Sequence, residues 1–109
     1  MPYFLEQYTI PHDLPPEDIV YNMRRMNRRS DARALRCGYS LGEGTAWCLT
    51  EAPDASAVRE GMGEVTFALT LDEVQEVDPS FDFASLGRVD RIFDPSHTSP
   101  AEVGDAPRR

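Results

Sequence analysis

Leu35 to Pro53, LRCGYSLGEGTAWCLTEAP, reads as a β-hairpin that carries both cysteines of the chain. Runs of strand-forming residues flank Gly42-Glu43-Gly44. With Gly42-Glu43 as the two-residue turn, Leu41 pairs with Gly44, Tyr39 with Ala46 and Cys37 with Cys48. Alternation then places Leu35, Cys37, Tyr39, Leu41, Ala46, Cys48 and Thr50 on one face. Arg36, Gly38, Ser40, Thr45, Trp47 and Leu49 go to the other, where Gly38 leaves room for the indole of Trp47. Neither face is strongly polar, so one is expected to pack on helices, with a dimer contact through the Trp47 face or through a sheet edge.

Working outward, Pro2–Ile10 mixes aromatic and branched residues around Glu6 and suits a first strand. Pro11, Pro15 and Pro16 break it. A helix is expected from Pro16, a favoured first helical residue, to about Ser30. Ile19, Met23 and Met26 form its apolar stripe, with Arg24/Arg28 and Arg25/Arg29 on the solvated side near the C-terminal end, where cations suit the helix dipole. After the hairpin, Asp54 is the expected N-cap of a second helix through Ala57-Val58-Arg59-Glu60. Gly61 and Gly63 weaken that helix, while Val65-Thr66-Phe67 prefers strand. Val74–Val77 is a short last strand, closed by Asp78-Pro79. The sum is an α+β domain over residues 1–79, ordered β-α-β-β-α-β as in a ferredoxin-like antiparallel sheet with helices on one face. Residues 80–109 read as an apolar-studded arm (Phe81, Phe83, Leu86, Val89, Ile92, Phe93), docking on the body or on a partner chain, and then a disordered tail.

The whole chain has 109 residues and a net charge of −8, with no lysine, so every positively charged side chain counted is an arginine. The first 36 residues hold six Arg against five acids, whereas residues 37–107 hold three against fourteen. An acidic surface disfavours nucleic acid and anionic membranes, which need a basic footprint. No apolar run approaches the ~18 residues of a spanning helix, and the chain reads as cytoplasmic. A core this small favours a homodimer.

The chemistry-bearing residues are few. Opposed residues of an antiparallel pair bring their Cα atoms to within about 5 Å on one face, so Cys37 and Cys48 can be two buried thiols, share a soft metal, or close a disulfide. In a reducing compartment thiols are the default. No CxxC or HxxxH supplies further ligands. His12, in a Pro-bounded loop, and His97, in the tail, each stand alone. His12 follows the strand that holds Glu6, and Glu6 itself, inside an apolar strand, must either face solvent or find a partner. Glu51 is placed to tether the helix that follows it. There is no phosphate-binding glycine loop and no nucleophile elbow.

Glu6, Tyr39, Trp47-Cys48-Leu49-Thr50-Glu51-Ala52-Pro53, Ala57-Val58-Arg59-Glu60 and Glu76-Val77-Asp78-Pro79 together resemble a family of small bacterial ferredoxin-like proteins of unknown function, some of them described as nickel-binding. The resemblance covers about residues 3 to 79. It implies a dimeric ferredoxin-like fold and a non-catalytic, nickel-binding or metal-responsive protein, with Cys37, Cys48, His12 and Glu6 as candidate ligands. The chain departs from the family after the second helix, where many relatives carry a Gly-x-Pro or Gly-His-Pro step and this sequence has Phe67-Ala68-Leu69-Thr70-Leu71. The alternative is a cofactor-independent enzyme of the dimeric α+β-barrel type, binding a small aromatic substrate near Tyr8, Tyr39 and Trp47.

Overall fold

A computed structural model describes residues 1–25, 31–61, 68–87 and 89–95. It is an α+β structure: β1 (Tyr3–Thr9), α1 (Pro16–Arg25), β2 (Arg33–Ser40), β3 (Thr45–Glu51), α2 (Ala55–Gly61), β4 (Thr70–Val77), a 3₁₀ turn (Phe83–Leu86) and β5 (Arg91–Phe93). The five strands form one antiparallel sheet in the order β4-β1-β3-β2-β5.

The hairpin has the expected register, with Cys37 opposite Cys48, Gly38 opposite Trp47 and Tyr39 opposite Ala46. Its turn closes through the Gly44 N–H donating to the Leu41 carbonyl at 3.2 Å. The left-handed residue is Gly44, at φ 63°, a conformation that a side chain would resist. A register shift between Ala34 and Arg36 alters the face assignment beyond Cys37. Ala34, not Leu35, joins the cysteine face, where it is fully buried.

Both helices lie on that face. Ile19, Val20 and Met23 of α1 pack over Tyr8, Cys37, Tyr39, Ala46 and Cys48. Val58 of α2 packs with Phe4, Ala52 and Val74. Pro16 opens α1 as expected, and Asn22 ties that helix to the chain before β4: its amide donates to the Asp18 carbonyl at 2.7 Å and its oxygen accepts from the Ala68 N–H at 2.8 Å. Asp54 caps α2, accepting from the Ala57 N–H at 2.8 Å. Met26, the Arg28 and Arg29 positions, Val65-Thr66-Phe67 and the tail with His97 lie outside the described residues.

The other face is covered by the chain's own arm, which takes the first of its two expected placements, on the body: Phe83 is fully buried against Leu5, Trp47 and Leu49, flanked by Phe81, Leu86 and Val89. The arm crosses from β4 at one edge to the opposite edge, where β5 pairs with β2 and the sheet extends past residue 79. Gly38 permits this. A Cβ there would come within 3.0 Å of the Arg91 carbonyl oxygen, Phe83 Cδ2 and Val89 Cγ1, so the space foreseen for the indole is used by the arm. Asp90 anchors the return, its carboxylate accepting from the Leu41 N–H at 2.7 Å and its own N–H donating to the Tyr39 carbonyl at 2.8 Å.

Candidate functional site

Strand register lines up one row of side chains across the helix-covered face: Val74, Glu6, Cys48, Cys37 and Phe93, on β4, β1, β3, β2 and β5. Each residue is there because its strand alternates, so the row follows directly from the pleat. Cys37 and Cys48 are joined as a disulfide, with Cα atoms 4.3 Å apart. That spacing belongs to a non-hydrogen-bonded cross-strand pair, in which side chains approach most closely. Both cysteines are fully buried beneath α1.

Glu6 is also fully buried. Its two carboxylate oxygens accept hydrogen bonds from the hydroxyls of Tyr8 and Thr50. Tyr8 is two residues along β1 on the same face, and Thr50 is two along β3 from Cys48, diagonally across from Glu6. A buried carboxylate persists in a core when its lone pairs are engaged, and these hydroxyls engage them. Thr50 was not a sequence candidate: alternation placed it on the cysteine face, but only the pairing of β1 with β3 brings it to Glu6. At the far end of the row, the guanidinium of Arg24 on α1 lies 5.9 Å from the Phe93 ring centroid and that of Arg91 lies 5.4 Å from it. The disulfide therefore sits between the Glu6 carboxyl group on one side and the ring of Phe93 with its two arginines on the other.

The remaining candidates lie elsewhere. His12 is exposed in the turn after β1. With Leu14, Leu41 and Glu43 it borders an open cleft of about 770 Å³ at the hairpin tip. Tyr8 and Tyr39 are buried on the helix side, whereas Trp47 is buried on the opposite face beneath Phe83. These three do not line one pocket, and the substrate position expected for an enzyme is not formed by them.

The donor set can be judged against the nickel that the resemblance implies. The two sulfurs are bonded to each other, the Glu6 oxygens accept from hydroxyls, and His12 sits beyond the end of β1 at the surface. Among the described residues, no group of three or more His, Cys, Asp or Glu side chains converges to hold a metal ion. As arranged, these residues do not fit a resident metal. Among the described residues, no helix is long and apolar enough to cross a membrane. Compared with known proteins, the chain matches no family model, no curated protein and no solved structure.

Proposed function

We propose that this chain is a small non-catalytic ferredoxin-like protein whose working part is a redox-responsive cysteine pair in its core. The ferredoxin-like reading is supported by the order β4-β1-β3-β2 with helices after β1 and β3, β5 being an addition at the edge. The observation that carries the functional reading is the Cys37–Cys48 disulfide, buried beneath α1 and one strand away from a buried carboxylate.

The bond closes a loop of sequence separation 11. In the chain-entropy picture, constraining the unfolded chain over such a loop is worth about 3 kcal/mol. A domain of this size has only about 5–15 kcal/mol in total, so the state of the pair governs a large share of its stability. A cytoplasmic location, the expectation from the sequence, makes the dithiol the resting form and oxidation the signal. In an oxidising compartment the disulfide is the resting form.

The test compares oxidised and reduced protein by thiol counting in denaturant and by thermal melting. Zero and two thiols are expected, with the reduced form melting about 10–20 °C lower. Equal melting temperatures would remove the pair as the controlling element. Nickel titration of the reduced protein, read by thiolate charge-transfer absorbance and repeated on Cys48→Ser, separates the metal-binding reading. Absorbance that depends on both sulfurs would favour it, and no absorbance would leave the redox reading alone.

A further inference from the structure

Resting on that reading, we infer that the two sulfurs are not equivalent: Cys37 is the nucleophilic thiolate of the reduced pair, Cys48 is the resolving thiol, and the reagents they meet are small disulfides. Cys48 is the register partner of Glu6, and Cys37 lies one strand further away, about 4.8 Å in a sheet. On its other side Cys37 pairs with Phe93, whose ring carries the guanidiniums of Arg24 and Arg91. A thiolate is favoured beside cations and disfavoured beside a carboxylate. Glu6 is fully buried and Arg24 half-buried, so solvent screens them less than the exposed Arg91. Among the described residues, the titratable and charged groups around the pair are Glu6 and Tyr8 on β1, Tyr39 on β2, and Arg24 of α1 and Arg91 of β5 over the Phe93 ring. The buried residues of α2 are Val58 and Gly61, so that helix presents none. Access does not separate the sulfurs, since both side chains lie in one cluster under α1.

Oxidation of the pair then follows one order. The Cys37 thiolate attacks one sulfur of a small disulfide, forming a mixed disulfide at Cys37 as the reagent's S–S bond breaks and the first small thiolate leaves. Cys48 then attacks Cys37 Sγ, the mixed disulfide breaks, and the second small thiolate departs with the proton from Cys48. The protein is oxidised by two electrons and the reagent is reduced to two thiols.

Single-cysteine variants test the assignment with an aromatic disulfide that releases a coloured thiolate. Cys48→Ser, which keeps Cys37, should react about three- to tenfold faster than Cys37→Ser, and its thiolate absorbance should appear at lower pH. Adding Glu6→Gln should speed the chain that keeps Cys48 and leave the chain that keeps Cys37 nearly unchanged. Equal rates, or the reverse order, would overturn the assignment. Because a variant that fails to fold decides nothing by itself, reduced wild-type protein is also treated with a sub-stoichiometric alkylating agent, and the label is located by mass spectrometry. Label chiefly on Cys37 supports the proposal, whereas label equally divided or chiefly on Cys48 sinks it. A folded chain whose disulfide no small dithiol opens would overturn the redox reading as well, which distinguishes the two failures.

Discussion

At the scale of single residues, the buried carboxylate of Glu6 sets the strictest demand in the core. Its oxygens accept from Tyr8 and Thr50, so removing one hydroxyl leaves part of the group's hydrogen-bonding capacity unmet where water cannot replace it. Thr50→Val keeps the shape and deletes the donor. The expected cost is about 1.5–3 kcal/mol, read as a lower urea midpoint at unchanged m-value. A cost below about 0.5 kcal/mol would mean that the hydroxyl contributes no more than an ordinary surface group. Asp78 illustrates the opposite regime. Ser80 donates to its carboxylate from the side-chain hydroxyl at 2.6 Å and from the backbone N–H at 2.9 Å. The hydroxyl first, and then the N–H, hold the Asp78 carboxyl below its usual range. A depressed folded-state value stabilises the fold above the ordinary carboxylate range, and that contribution is lost as the pH falls through the folded value. Asp78 is fully exposed, so the effect is local. Ser80→Ala should move the Asp78 titration, followed by NMR, upward toward the ordinary value, and an unmoved titration would remove the hydroxyl as its main cause.

At the scale of elements, Gly38 connects the hairpin to the arm. A methyl group there meets a backbone carbonyl and two packed side chains at 3.0 Å. The carbonyl belongs to β5 and cannot yield without disturbing the ladder to β2. Gly38→Ala should therefore cost about 1–3 kcal/mol and shift Trp47 fluorescence to the red as Phe83 backs away from the indole. Unchanged fluorescence would show that the arm accommodates the methyl in place. This junction also separates what was legible in the sequence from what was not. The Cys37–Cys48 register followed from a glycine-bounded turn and period-two alternation, both local and both encoded within nineteen consecutive residues. The caps at Pro16 and Asp54 were equally local. The shift that exchanges Leu35 for Ala34 was not legible, because bulges answer to the neighbouring strand and carry little sequence signature. Nor was β5 legible: Arg91-Ile92-Phe93 is too short to declare itself and becomes a strand only because β2 offers an edge. Glu6 stood out as a candidate, but its burial beside the disulfide depended on long-range pairing of β1 with β3.

At the scale of the whole molecule, the arm decides which surfaces remain for other chains. A four-stranded sheet with helices on one side exposes its second face, and here that face bears Leu5, Trp47 and Leu49. In this chain the face is filled from within by Phe83, which is fully buried, so the homodimer expected from a small core cannot use it while the arm is docked. The sheet edges are the other expected route. The outer strand β4 carries Asp72, Glu73 and Glu76, and acidic side chains along an edge discourage pairing with an identical copy. Ending the chain after Pro79 would remove the arm and leave the Trp47 face bare. A contiguous apolar patch of that kind drives association, so the shortened protein should dimerise or aggregate more steeply with concentration than the full chain does. Sedimentation over a hundredfold range of concentration reads this directly, and Trp47 emission provides a second signal. In the monomeric truncated chain the emission should be red-shifted, and it should return toward the blue as association covers the indole again. A truncated chain that stays monomeric with unshifted emission would show that Phe83 is not what keeps the Trp47 face from water. A truncated chain that unfolds outright would show instead that the arm contributes more to stability than to masking, and Phe83→Ala in the full chain, expected to cost about 3–5 kcal/mol, measures that share separately.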